Sequence, residues 1–381
     1  MFHPWVTLRG WFNYARTWVL LRGWISRLRR DMGISAQRLV PARVSASVGG
    51  LDVDIAKQLE IFGLEETKRL ASAGLGSKRL RDRMVRRVET THDIMSSLPE
   101  GEDLSFLHSG LCQTCLPHSR PAQNHTVWRR TSGRFTLSIS PGTLMKADSS
   151  PEDDGYVGVP FGTKARLILI HLQTEGLRSR TVNLGPSLSA FMRSLGLAVT
   201  GGERGTIAAT KEQVLRIARC NFSLQWSDTD TFGTRTYITD HRIVDGLDLW
   251  EAGRGGEWNG IVELSERFHE ELRKHSVPLD KRAISELSNN SLGLDLYTLF
   301  AYRLPRLKES LHLRWRMLQS QIGSEETQTF ELARRVRGVL PEVLAVYPHA
   351  NAEITSSGLT LRKSEPPVPS RTVRGFRVIE R

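Results

Sequence analysis

The sequence predicts an α+β fold, mainly helical, made of tandem winged helix-turn-helix units behind a basic helical N-terminal extension. Two observations predict it. After residue 158 the order helix, strand, helix, helix, strand, strand occurs twice. A hydrophobic content of 39% with 25% charged residues is that of a folded globular chain.

The elements follow in order. Residues 53–97 read as helical, including "SKRLRDRMVRR" at 77–87, and 100–157 is dominated by turn residues around one strand, "RFTLSI" at 134–139. In the first copy the apolar run 165–172 is a buried helix, entered through Thr163 as its cap, and "TVNL" at 181–184 is a short extended piece. Ser187 caps a helix whose Leu188, Phe191, Met192 and Leu195 make one apolar stripe, and Gly196 stops it. A second helix spans 206–219, and strands 221–226 and 235–244 form the wing. In the second copy, Leu292, Leu296, Leu299, Phe300 and Leu304 mark the first helix. "LHLRW" (311–315) is its strand, "RMLQSQIG" (316–323) the short helix, and a longer helix starts near Glu326. Pro341 ends that helix near 339, and "NAEITS" and "LTLRK" pair as a hairpin.

These elements divide the chain into a Trp/Arg-rich leader and linker (1–50), a helical and irregular region (51–157), winged-helix domains at 158–255 and 256–365, and a basic flexible tail (366–381). In the leader, Trp5, Trp11, Trp18 and Trp24 are interleaved with six arginines, too many charges for a bilayer span. Its alternative reading is a basic amphipathic surface helix. Three cysteines make no disulfide framework, which places the chain in a reducing cytosol.

Net charge is +12 and the pI about 10, favouring a polyanionic partner. Residues 1–90 hold 17 Lys/Arg against 8 Asp/Glu, so most of the excess lies there.

Catalytic patterns are weak. Gly158 and Gly162 precede Thr163–Lys164, the reverse of the Lys–Ser/Thr order in a phosphate loop. Cys112, Cys115 and His118 form C-x-x-C-x-x-H, but without a second C-x-x-C a partly buried loop with ordinary thiols is favoured over zinc. No His-x-His pair accompanies a nucleophilic tyrosine; Tyr297 and Tyr302 fall in an apolar helix. The expectation is therefore no enzyme, no cofactor and no metal.

The helix pairs carry more information. In 206–219, Ile207, Val214, Ile217 and Ala218 share one face, and Gln213, Arg216 and Arg219 the other. In the second unit Phe330, Leu332, Ala333, Val336 and Leu340 cluster as core, opposite Thr327, Gln328, Glu331, Arg334 and Arg335. Arg pairs bidentately with guanine and Gln with adenine in the major groove, so Gln213, Arg216, Arg219, Thr327, Gln328, Arg334 and Arg335 are candidate DNA-reading residues. Lys164, Arg79, Arg83, Arg86 and Arg314 are candidate phosphate contacts.

The phrases "CQTCLPHSRP", "WRRTSGRFTLSISPG", "GVPFGTKARLILIHLQTE", "LGPSLSAFMRSLGL", "LDLYTLFAYRL" and "YPHANAEITSSGLTLRKSEPPV" resemble the plasmid-encoded RepA family of bacterial replication initiators. The resemblance runs from about residue 105 to 370. It implies a cytoplasmic protein that binds repeated double-stranded DNA sequences at a plasmid origin and brings in the host initiator and helicase. It also implies a homodimer when repressing its own promoter and a monomer when starting replication. It places His118 in the fold. Two alternatives remain: a winged-helix repressor without a replication role, and a rolling-circle nicking initiator.

Overall fold

The computed structural model describes residues 54–144, 155–202, 204–230, 233–251, 258–323, 328–369 and 372. The Trp/Arg-rich leader lies outside them, as does nearly all of the tail beyond 369. Helices α1 (Ile55–Phe62), α2 (Leu64–Ser72) and α3 (Lys78–Ser96) occupy the stretch expected to be helical. Asp54 caps α1, accepting from the Lys57 amide at 3.1 Å. Leu59, Ala71, Met84 and Val88 form a small core of their own.

The turn-rich stretch holds more structure than its residues announce: β1 (Leu104–His108), α4 (Ser109–Gln113), β2 (Trp128–Ser132), β3 (Phe135–Ser140), β4 (Thr143–Leu144) and β5 (Gly155–Tyr156). Only β3 was expected. β1 is buried along its whole length, so it lacks the alternation of a half-exposed strand. β2 turns Trp128, Arg130 and Ser132 inward, and those polar residues hide its pattern.

The first unit begins with α5 (Gly162–Gly176), the buried apolar helix. Thr163 does not cap it. The cap position is Phe161, with no side-chain bond, and Gly162 takes φ 72°, a conformation open to glycine at little cost. β6 (Thr181–Asn183) follows, then α6 (Leu188–Ser194), capped by Ser187 Oγ accepting from the Ala190 amide at 3.0 Å. α7 (Thr206–Arg219) is the longer helix.

Four strands then run in sequence: β7 (Asn221–Asp230), β8 (Gly233–Arg242), β9 (Val244–Glu251) and β10 (Trp258–Leu264). The expected wing, β7 with β8, is not the hairpin that closes the unit. β7 pairs with β3 as well, making a four-stranded sheet in the order β2–β3–β7–β8. The closing hairpin is β9–β10, with β6 against β10 in the order β6–β10–β9. A boundary at 255/256 would cut between two strands paired along their length, so the first unit runs to Leu264. Alternation identifies strands but not their partners, and β7–β8 is an insertion between the helices and the hairpin.

α8 (Glu266–His275), β11 (Ser276–Asp280) and α9 (Lys281–Glu286) connect the two units, and β11 pairs antiparallel with β1. The second unit is α10 (Ser291–Arg303), β12 (Leu311–Arg314), α11 (Trp315–Ile322), α12 (Thr329–Val346), β13 (Ala352–Ile354) and β14 (Gly358–Leu361). Its sheet runs β12–β14–β13, the same arrangement as β6–β10–β9. α12 does not stop before Pro341 but continues through it. Leu340 and Val343 are buried on either side, and that packing offsets the roughly 3 kcal/mol cost of an internal proline. The tail also begins later than expected: Val368 is buried against Leu104 and Phe106.

One continuous core takes side chains from both units, from Leu107 to Leu361. Leu296, Tyr297 and Phe300 of α10 are fully buried in it. Phe300→Ala is expected to lower stability by about 3–5 kcal/mol, through lost burial and the cavity left behind. Urea denaturation of the variant beside the parent protein measures it.

Candidate nucleic-acid interface

α7 and α12 occupy equivalent places in the two units but meet different surroundings. Around α7, the polar side expected to face solvent is covered by Arg120, Asn124, Thr143 and residues 158–161. Gln213 is buried and accepts from the Phe161 amide at 2.9 Å. Arg216 is 2% exposed. Its guanidinium donates to the Val159 carbonyl at 2.9 Å, to Asn124 Oδ1 at 3.3 Å and to Glu212 Oε1 at 2.8 Å, and lies over the Phe161 ring. Gly158 makes room for it: a Cβ there would sit 2.1 Å from Arg216 Nη1. Arg219, half-buried, gives two bonds to the Thr143 carbonyl at 2.9 and 2.7 Å. Arg120 closes over the helix by pairing with Glu212.

The assignment of Gln213 and Arg216 to an exposed reading face is therefore corrected. Periodicity shows which residues share a helical face, not what the rest of the chain lays over it. The same covering answers the Gly158–Lys164 motif. The Gly162 amide donates to the Pro117 carbonyl and the Phe161 amide to Gln213, so both are engaged within the protein, and Lys164 is half-buried.

α12 presents an open face. Gln328 at its N-cap and Arg334 are exposed, and Arg335 is half-buried. Thr327 lies outside the described residues. Phe330, expected in the core, is 71% exposed. Phe330, Arg334 and Arg337 are spaced four and seven apart, so they share a face. Arg337 lies over the Trp315 ring at 5.5 Å, and Arg314 and Arg316 are exposed where α11 begins. Arg316 and Arg337 were missed; the i, i+4, i+7 series from Phe330 was the signal for Arg337. On the adjacent sheet, His312 bonds Thr360 at 3.2 Å and Ser357 at 2.9 Å, linking β12 to β14 and its turn.

On α3, Arg79 and Arg83 are exposed as expected of phosphate contacts. Arg86 is exposed but bonded to Glu286 at 3.2 Å. Arg87 is turned toward Glu342 at 4.0 Å, and burial lowers its pKa.

Behind the open face is a buried ionic cluster. Arg166 on α5 grips Asp295 on α10 through two bonds of 2.7 and 2.8 Å, and reaches the carbonyls of Leu116, Pro117 and Gly162. His118 Nε2 bonds Asp295 Oδ2 at 2.8 Å, and Arg335 Nη2 approaches His118 Nδ1 at 3.4 Å. These partners fix a neutral imidazole that donates from Nε2 and accepts at Nδ1. Burial holds His118 below its ordinary pKa, against the pull of Asp295. Burial alone would push the Asp295 carboxyl up, but the Arg166 guanidinium and the His118 bond hold it below the usual value.

Cys115, His118 and Asp295 bring three donor atoms within 4.8 Å of one another. They do not suit a cation. Both Asp295 oxygens are taken by Arg166, which already neutralises the carboxylate, and burial pushes the Cys115 thiol up to about 12. Cys112 points elsewhere, its thiol toward the Leu107 carbonyl.

Residues 159–316 match the family model described as plasmid-encoded RepA protein. Over that segment the resemblance to the RepA family is shown. The matched segment runs from the Val159 carbonyl that holds Arg216, through α7 and α10, to the start of α11. No curated protein matches the sequence. Two crystal structures of domains 2 and 3 of RctB are similar, at TM-scores of 0.41 and 0.37 and identities of 11% and 10%. They cover 67% and 66% of this chain, and 98% and 94% of their own. Among the described residues no helix is long and apolar enough to cross a membrane.

Two outcomes follow from the cluster. Asp295→Ala leaves Arg166 as an uncompensated buried charge and is expected to cost about 3–5 kcal/mol, whereas Asp295→Leu with Arg166→Met recovers much of the loss. Denaturant titration of the three proteins tests this. The depressed pKa of His118 makes unfolding take up a proton, so its contribution is whole above about pH 6.5 and falls as the solution is acidified below it. His118→Gln should flatten that decline in melting temperature between pH 7 and 5.

Proposed function

We propose that this chain is a plasmid replication initiator that binds repeated origin DNA sequence-specifically and has no catalytic step of its own. The observation that carries the reading is the open face of α12. Its Arg334 and Arg337 are exposed, a second helix precedes it and a β-hairpin follows, in a chain whose 159–316 segment matches RepA.

In this reading the two repeats of helix, strand, helix, helix and hairpin are winged helix-turn-helix domains, the first ending at Leu264. α12 enters the major groove with Gln328 and Arg334 at base edges. Arg314 and Arg316 meet the flanking phosphates, and Arg79 and Arg83 add salt-dependent affinity. Arg335, tied to His118, supports the helix and reaches DNA only at its edge. The first domain, with Arg216 and Gln213 inside, acts as scaffold. The host initiator and helicase as partners, a homodimer in the repressing state and a cytoplasmic location complete the reading.

The test is titration onto the DNA flanking the gene, against shuffled DNA of equal composition, at physiological salt. A preference of roughly 10³ or more with regularly spaced footprints is expected. Equal binding to both would leave only non-specific charge and end the reading. Arg334→Ala should cost about 1–3 kcal/mol on the preferred site and relax its selectivity, measured as the same ratio. Plasmid maintenance supplied in trans separates an initiator from a repressor.

A further inference from the structure

We infer that Phe330 is a specificity residue that reads the C5-methyl group of a thymine in the major groove, an inference that rests on the DNA-binding reading above. Phe330 stands in the first turn of α12 and is 71% exposed, while Leu332 and Val336 of the same helix are fully buried. A lone exposed apolar residue is ordinary on a protein surface. This one lies on a face it shares with Arg334 and Arg337.

An apolar ring one helical turn from the exposed Arg334 fits poorly against another protein's apolar core, where that arginine would have to be desolvated without a partner. It fits duplex DNA, whose phosphates pair with an arginine beside it. In the major groove the apolar group on a base edge is the thymine methyl, and phenylalanine is one of the side chains that contacts it. The N-terminal residues of a recognition helix are those that reach base edges, which is where Phe330 stands.

The experiment replaces each thymine of the preferred site in turn by deoxyuridine, which lacks only the methyl, and measures affinity for the parent protein and for Phe330→Ala. The expected result is a loss of about fourfold at one thymine per half-site, the equivalent of one buried methyl. Phe330→Ala should show that loss already on the unmodified site and nothing further on the deoxyuridine duplex. Its melting temperature should match the parent's, because the side chain is exposed.

A parent protein indifferent to every replacement, or a variant that still loses fourfold with deoxyuridine, overturns the inference while the selectivity over shuffled DNA leaves the wider reading intact. Loss of that selectivity in the parent protein would overturn both. A variant with unchanged DNA affinity and altered self-association by sedimentation would assign Phe330 to a second copy of the chain instead.

Discussion

The Arg166–Asp295 pair is the constraint on which the arrangement depends. Two opposite charges are buried in one core, and each is tolerated only because the other is within 2.8 Å with matched geometry. The pair fixes α5 of the first unit against α10 of the second. The spare guanidinium donors hold the carbonyls of Leu116, Pro117 and Gly162, so the loop that covers α7 is anchored by the same group. His118 extends the network to Arg335 on α12. A carboxylate, a guanidinium and an imidazole therefore link the loop that covers α7 to α12.

That anchoring separates two helices that look alike in sequence. α7 has Gln213, Arg216 and Arg219 bonded to Phe161, Val159, Asn124 and Thr143. α12 has Arg335 held from below and Phe330, Arg334 and Arg337 left outside. A repeated architecture thus yields one exposed helix and one covered helix. The hairpin β7–β8, inserted into the first unit and paired with β3, extends that division, because it binds the first unit to strands that precede it in the chain.

Much of this was legible. The helices at 162–176, 188–194, 291–303 and 315–322 follow from apolar spacing, a serine cap and glycine stops, which are local signals. The strand β1 was not, because full burial removes alternation, and the partner of β6 was not, because pairing between distant strands leaves no local trace. Gln213 and Arg216 read as outward from their helix alone; what covers them comes from 52 to 92 residues earlier in the chain. Phe330 failed in the opposite direction. Its apolar character placed it with Leu332 and Val336, although its position around the helix already set it beside Arg334. Asp295, in the middle of an apolar run, was the unread sign of the buried pair.

The proposal that α12, and not α7, meets DNA is tested most directly by hydrogen–deuterium exchange of the full chain with and without its preferred DNA. The account predicts slowed exchange across 314–346 and the hairpin 352–361, with 206–219 and its cover at 117–125 unchanged. Slowed exchange in 206–219, together with faster exchange in 117–125, would show that the first helix is uncovered to meet DNA, and would contradict it.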